Sequence, residues 1–575
     1  MGKILAFLKK DLWKIIIILS LTFIQAMANL FLPSFMSDIV NLGIPNGDTA
    51  YILEIGGFML VIAFGGIICQ IFARFMSSKV SAGFSMDLRN TVFTKVESFS
   101  LTEFDKFSTA SLITRCTNDI TQIQHFLDMT LRMAITAPMM AIGGIIMAIR
   151  YGQSLSLILI VSCTAIIAVM AVNFSITVPK FKMMQTNVDK LNLITRENLS
   201  GIRVIRAFNA QATQDKKFDK ANQDLTRLHL IIGRIMAALQ PLTMLIMNIT
   251  TVIVLWLGSR LVQSYTIQVG DLMAFIQYVM QIMFSFQMLS MTFMIIPRAM
   301  VSVKRINEIL DTDPVIKDNN EEDIKTPDNT GKVEFRNVTF YYPNAIEPAL
   351  KNISFVSKPG QVTAIIGSTG SGKSTLVNLI PRLYDVSEGE VLVDDVNIKN
   401  FSQHELRNRI GYVPQKNMLF AGDIESNIVF DREVIESEIT ESAEISQAME
   451  FINEKEQGFQ HPIAQAGSNV SGGQKQRLAI ARALINSPKI YIFDDSFSSL
   501  DFKTESKLRN ALEPKVKNST VILVTQRVST IMDADQIIVL DSGNIVGVGT
   551  HKYLMKNSSV YYEIASSQLT KEELS

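Results

Sequence analysis

The residues with the clearest chemistry are Gly367-Ser368-Thr369-Gly370-Ser371-Gly372-Lys373-Ser374-Thr375, which follow the apolar run 362–366 and precede a helix-forming stretch. Glycines at this spacing let successive backbone N–H groups turn inward on phosphate oxygens. Lys373 supplies a cation to the β and γ oxygens, and the Ser374 hydroxyl can ligate Mg²⁺. A glycine-rich turn of no function has no need of strand, loop and helix in that order. Further on, Lys489-Ile490-Tyr491-Ile492-Phe493-Asp494 reads as a buried strand ending in a carboxylate, where a phosphate-loop enzyme holds its magnesium. Just before it, Val470-Ser471-Gly472-Gly473-Gln474 opens a helical pattern over 475–484. A small hydroxyl and bare amides at a helix N-terminus suit a second phosphate contact. ATP and Mg²⁺ are the implied cofactors.

Such residues need an α/β scaffold to hold them. The segment 332–340 alternates like a strand, and later short apolar runs alternate with helical patterns, so a partly parallel sheet is predicted. The first 300 residues differ: charge-free apolar stretches at 15–36, 55–73, 133–149, 155–178, 235–259 and 272–297 are each near the length that crosses about 30 Å of hydrocarbon. The predicted fold is an all-α polytopic transmembrane domain over 1–310, six helices with long cytosolic extensions, a charged linker at 311–330, and an α/β P-loop nucleotide-binding domain over 331–575. No internal repeat is seen.

Composition limits the partners. Formal net charge is zero over 575 residues, which gives no reason to expect nucleic acid. Cys69, Cys116 and Cys163 are far apart in sequence and read as reduced packing thiols. Lys9, Lys10 and Lys14 before the first apolar run, with Ala26-Met27-Ala28 inside it, raise the question of a cleaved signal. The run continues to Met36, which suits a retained span instead. Basic residues concentrate at the N-terminus, 74–132 and 180–234, so both termini are expected in the cytosol of a cell (plasma) membrane protein. If those two segments fold as helical hairpins with legs of about 25 residues, they project nearly 40 Å, with tips on which something can dock. Gln25, Asn29, Asn248, Gln277, Gln281 and Gln287 are expected to face other helices or a cavity. Phe284 and Phe286 with Met280, Met283 and Met288 give the last span soft apolar surface for small amphipathic substrates.

These motifs, in this order after six spans, resemble the exporter type of ATP-binding cassette (ABC) transporter over nearly the whole chain. Asn198-Leu199-Ser200-Gly201-Ile202-Arg203-Val204-Ile205-Arg206-Ala207-Phe208 and Gly270-Asp271-Leu272-Met273-Ala274-Phe275 are similar to segments of bacterial members. The resemblance implies that Tyr342 stacks on adenine, that Gln415 in Tyr412-Val413-Pro414-Gln415 touches the metal, and that Ser499-Leu500-Asp501 lies at a dimer seam. It also implies that each ATP lies between one subunit's phosphate loop and the other's Ser-Gly-Gly-Gln segment.

Two positions depart from the family pattern. Asp495 follows Asp494 where a Glu is usual, and Gln526 follows Thr525 where a His is usual. In the family the Glu polarises the attacking water and the His reaches the γ-phosphate. Asp is one methylene shorter, and Gln cannot carry an imidazolium's charge. A third departure is Ala464-Gln465-Ala466-Gly467-Ser468-Asn469, where relatives usually carry an acidic residue. The expectation is a degenerate site that binds ATP and hydrolyses it poorly. Ser471, Gly472, Gly473 and Gln474 would complete a working site on a homologous half-transporter with intact Glu and His. Heterodimeric bacterial multidrug exporters, working by alternating access, are the nearest resemblance. A nucleotide-gated regulatory subunit and a lipid or peptide exporter are the alternatives.

Overall fold

In lipid a backbone must satisfy itself internally, and among the described residues six helices are long and apolar enough to cross a membrane. The structure, a computed structural model, describes residues 2–318, 330–343 and 345–569. The expected linker therefore lies in part, at 319–329, outside the described residues. The chain divides into Met1–Glu97 with Thr109–Thr312, and Ser98–Ser108 with Asp313–Ser575.

The first unit is helical. It contains α1 (Leu12–Asp38) and α2 (Thr49–Glu97); α3 (Leu101–Phe107) follows in the chain but belongs to the second unit. Then come α4 (Ile120–Tyr151), α5 (Ser156–Ser200), α6 (Ile202–Ala207), α7 (Gln211–Gln263) and α8 (Val269–Asp311). The expected long extensions continue the spanning helices: α2, α5 and α7 run unbroken for 49, 45 and 53 residues through both spanning segment and extension. Likewise α8 does not stop at Pro297 but carries it as an interior residue. The change from apolar to charged sequence marks where hydrocarbon ends, and a helix has no reason to break there. Short π-helical stretches at Ile39–Gly43 and Arg115–Asp119 continue α1 and precede α4.

Close helix approach rests on small residues. A Cβ on Gly143 of α4 would stand 2.4 Å from Leu30 of α1, and one on Gly144 would stand 2.7 Å from Ile282 of α8. Around that contact Phe275, Tyr278 and Ile282 are fully buried. Polar side chains join the helices: Tyr278 donates to the Leu30 carbonyl at 2.9 Å, Gln281 to the Asn29 carbonyl at 2.9 Å, and Ser162 pairs with Thr250 at 2.7 Å. Gln25, Asn29 and Gln287 are half-buried, whereas Asn248, Gln277 and Phe284 are exposed on the isolated chain. Cys69, Cys116 and Cys163 are free and half-buried.

The second unit is α/β. Among the described residues, strands β1 (Val333–Phe340), β2 (Leu350–Ser357), β3 (Val362–Gly367), β4 (Glu388–Val393), β5 (Val396–Asn397), β6 (Ile410–Val413), β7 (Gly422–Asp423), β8 (Pro462–Ile463), β9 (Ile490–Asp494), β10 (Thr520–Val524), β11 (Gln536–Asp541) and β12 (Asn544–Gly549) form three sheets. One is antiparallel, in the order β2-β1-β4-β5. The central sheet has the order β12-β11-β3-β10-β9-β6 and is parallel except at β12. Its parallel strands are largely apolar runs because both faces are covered; β9 and β10 are buried at every residue. Helices α9 (Lys373–Leu379), α10 (Gly472–Leu484), α11 (Phe502–Val516), α12 (His551–Asn557) and α13 (Ser559–Ser566) complete the parts that bear on the site.

Ser98–Ser108, expected within the membrane domain, packs instead with this second unit. Ser100 and Glu103 form a capping box on α3, Glu103 accepts the Val315 amide at 3.2 Å, and Asp105 accepts the Tyr384 hydroxyl at 3.2 Å.

Candidate nucleotide site

In a parallel sheet the loops that follow the strands open on one edge, which is where ligands of α/β folds sit. Val524 is level with Ile365 of β3 on one side and Asp494 of β9 on the other. The phosphate loop, Asp494-Asp495, Thr525-Gln526 and the stretch after β6 therefore emerge side by side. They enclose a cavity of about 360 Å³ lined by Tyr342, Ala349, Thr369, Gly370, Gly372, Lys373, Ser374, Thr375, Gln415, Asp494, Asp495, Val524, Thr525 and Gln526.

Each element of the loop has a physical role. Gly370 and Gly372 have φ of 84° and 99°, which residues with a Cβ rarely adopt. The Lys373 ammonium donates to the Gly367 and Ser368 carbonyls at 2.8 and 2.7 Å, so it is curled over the loop. Burial holds its pKa below the ordinary lysine value, against the pull of Asp494 and Asp495. Such a desolvated cation gains when phosphate oxygens reach it. Gly367, Ser368 and Ser371 belong to the loop without facing the cavity; Ser371 is buried.

The Ser374 hydroxyl donates to Asp494 at 3.2 Å, and burial pushes the Asp494 carboxyl up. With Gln415 on the same wall, the donors are all oxygens, the set Mg²⁺ prefers. Among the described residues no group of three or more His, Cys, Asp or Glu is placed to hold a metal by itself. Ser374, Gln415 and Asp494 are the residues that would hold Mg²⁺.

Asp495 is half-buried at φ 50°, in the left-handed region that Asp tolerates better than most side chains. Its amide donates to the Val524 carbonyl at 2.9 Å. Gln526 is exposed on the cavity wall. The Tyr342 hydroxyl pairs with Thr375 at 2.9 Å, and its ring stands edge-on to Phe340 and Tyr384.

Ser471, Gly472, Gly473 and Gln474 do not join this cavity. Ser471 caps α10, with the Gln474 amide donating to its hydroxyl at 3.3 Å and its own amide donating to the Gln474 side chain at 3.0 Å. Ser471 and Gly472 are exposed. Asp501 caps α11 by accepting the Thr504 amide at 3.0 Å, and hydrogen bonding from the Thr504 side chain and then its amide holds the carboxyl below the usual range. In the 464–469 loop, Asn469 accepts the Ala464 amide and donates to the Pro462 carbonyl, and Lys475 donates to the Ala466 carbonyl. One connecting residue escaped the sequence reading. Gln476, buried on α10, donates to the Asp495 carbonyl at 3.4 Å and accepts the Ser499 amide at 3.2 Å. The available signal was a Gln on an otherwise apolar helix face.

Residues 15–286 match the model of the ABC transporter transmembrane region, and residues 350–498 match that of the ABC transporter domain. An uncharacterized ABC transporter ATP-binding protein of Mycobacterium tuberculosis is 40% identical over 555 residues, covering 96% of this chain and 95% of the relative. Another from Bacillus subtilis is 37% identical over 575 residues, covering 100% and 99%. A protein of M. tuberculosis named as a fatty acid ABC transporter ATP-binding/permease protein is 33% identical over 479 residues, covering 83% and 75%. Among solved structures, a bacterial Atm1-family ABC exporter with ATP bound superposes with TM-score 0.80 over 98% of this chain and 99% of that one, at 23% identity.

Proposed function

Because the chain belongs to the ABC transporter family, with one membrane unit and one ATPase cassette in an exporter fold, we propose that it is one half of a heterodimeric exporter of amphipathic compounds whose own ATP site is degenerate. The carrying observation is that Asp495 and Gln526, the two departures from the family pattern, both stand on the wall of the one cavity that also holds Lys373, Ser374 and Asp494. The binding groups remain while the groups that ready water are altered. An aspartate held at φ 50° has a shorter reach than glutamate, and misplacement by about 1 Å is enough to cost about 100-fold in rate. Gln526 donates a hydrogen bond without an imidazolium's charge.

In this reading ATP binds between this chain's phosphate loop and a partner's signature segment. The exposed cap Ser471 with Gly472 and Gly473 in turn completes the partner's hydrolytic site, and Asp501 lies at the seam. Tyr342 is the platform for adenine. Closure of the cassettes on ATP drives alternating access, hydrolysis at the partner's loop resets it, and both termini lie in the cytosol of a bacterial plasma membrane. Exposed Phe284 and Gln277 on α8 support a cargo with apolar and polar parts. A relative named for fatty acids favours the same class.

The test uses the purified pair. With the partner's hydrolytic carboxylate removed, Asp495→Glu with Gln526→His should raise ATPase by at least about tenfold. An unchanged rate would sink the degenerate assignment. Uptake of an amphipathic dye into inverted vesicles, lost on replacement of Phe284 and Gln277, separates an exporter from a regulatory subunit.

A further inference from the structure

The C-terminal helices return to the nucleotide site from outside the elements that form it. α13 is anchored by Tyr561 and Ala565, both fully buried in the core that covers β9, β10 and β11, and Leu569 packs against the same core. The turn after α13 thereby brings Gln568 to the loop that follows β10. There the Gln568 carboxamide donates to the Gln526 carbonyl at 2.8 Å, and its oxygen accepts the Val528 amide at 2.9 Å. The two bonds straddle Arg527 and use both polar atoms of one side chain, as a neighbouring strand would.

The rest of the loop is held from the other side. Arg527 donates to Glu505, buried on α11, at 3.1 Å and to the Ser498 carbonyl at 3.1 Å, and its amide donates to the Thr525 hydroxyl at 3.0 Å. Val528 is fully buried. The main chain on both sides of Gln526 is therefore fixed, and its side chain is left on the cavity wall.

We propose that Gln568 is a positioning residue for the nucleotide site, a clip that sets the position from which Gln526 meets the terminal phosphate. The proposal rests on the reading that Gln526 faces the γ-phosphate. A carboxamide can donate to the one backbone carbonyl through its nitrogen and accept from the other residue's amide through its oxygen at once. Glutamate at 568 would keep the acceptor for Val528 and set a carboxylate against the Gln526 carbonyl. Because ADP lacks the phosphate that Gln526 meets, the clip matters to ATP and not to ADP.

The experiment measures MgATP and MgADP competing with a fluorescent adenine nucleotide on the full-length chain in lipid nanodiscs, in the cold. Gln568→Ala should weaken MgATP about five- to tenfold, the worth of one or two neutral hydrogen bonds, and leave MgADP unchanged. Gln568→Glu should do at least as much. Gln526→Ala should show the same selective loss, and adding Gln568→Ala to it should change nothing further. Equal weakening of both nucleotides, or of neither, would overturn the clip. So would a selective loss in Gln568→Ala when Gln526→Ala is silent. A silent Gln568→Ala beside a selective Gln526→Ala overturns the clip and leaves the reading of Gln526 standing. Gln568 is exposed, so both variants are expected to fold.

Discussion

A Cβ added at Gly372, where φ is 99°, would stand 2.8 Å from the Ala349 carbonyl and 2.8 Å from Leu350; at Gly370, φ 84°, nothing lies within 4 Å. The two glycines of one motif thus answer to different constraints. Gly370→Ala meets only the backbone cost of the left-handed region, roughly 1–2 kcal/mol. Gly372→Ala must also move main chain beside the adenine wall. The expected outcome is that Gly370→Ala keeps ATP affinity within about thirtyfold of the parent, the upper end of that cost. Gly372→Ala should lose measurable binding and unfold at a lower temperature. Equal effects in a nucleotide-binding titration and a thermal melt would contradict the distinction. The phosphate loop could be read from sequence because its chemistry is local: every group sits within nine positions of the next. Gln568 could not, because its partners are backbone atoms up to 42 residues upstream, and a carboxamide in the turn after α13 carries no pattern that points to them.

Elements were legible where periodicity meets a sharp change of environment. β3, β9 and the start of α10 fell where apolar runs met Gly or Asp, since burial on both faces of a parallel sheet leaves continuous apolar sequence. The extension of α2, α5 and α7 beyond hydrocarbon was legible, but the points where each helix ends were not, because hydropathy registers the solvent and not the helix. Nor was the transfer of α3 to the second unit, which depends on Glu103 and Asp105 finding Val315 and Tyr384 far along the chain. At the C-terminal end, His551 on α12 pairs through Nδ1 with the Tyr561 hydroxyl of α13 at 2.8 Å. Burial lifts the Tyr561 hydroxyl to about 12, so the phenol keeps its proton and donates to a neutral imidazole. Burial lowers the His551 pKa from its ordinary 6.5; Lys552 lowers it too, and Asp533 pulls it up. A base whose folded pKa is depressed stabilises the fold fully above its unfolded pKa and loses that contribution as pH falls through the folded value. Hydrogen exchange in α13, corrected for intrinsic rate, should therefore rise as pH drops below about 6.5. His551→Gln, which keeps an acceptor for Tyr561 and does not titrate, should flatten that rise. If α13 exchanges faster in acid to the same extent in both proteins, another group is responsible.

At the scale of the whole molecule, the cavity brings together the phosphate loop, Asp494 and Tyr342, yet the helix N-terminus proposed as a second phosphate contact opens to solvent at Ser471 and Gly472. Phe502, next to the α11 cap Asp501, leaves a large apolar ring 79% exposed. A second cassette meets both needs, and in a pair of unlike chains the two nucleotide sites differ in what each polypeptide supplies. On the proposed arrangement this chain gives its phosphate loop to a site that mainly holds nucleotide and its signature helix to the site that turns over. Damage to the two motifs should then be unequal in the assembled pair. Ser471→Arg places a bulky cation in the anion-binding cap of the site that turns over, and should lower steady-state ATPase at least about 100-fold, the scale of losing a transition-state contact. Lys373→Ala weakens nucleotide at the site that mainly holds it, and should cost less than about tenfold provided the cassettes still close. A pair built from two copies of this chain has no such asymmetry, so the two substitutions would then cut the rate alike. Measuring both variants in one preparation, with flux of an amphipathic dye alongside, separates the arrangements without knowledge of the natural cargo.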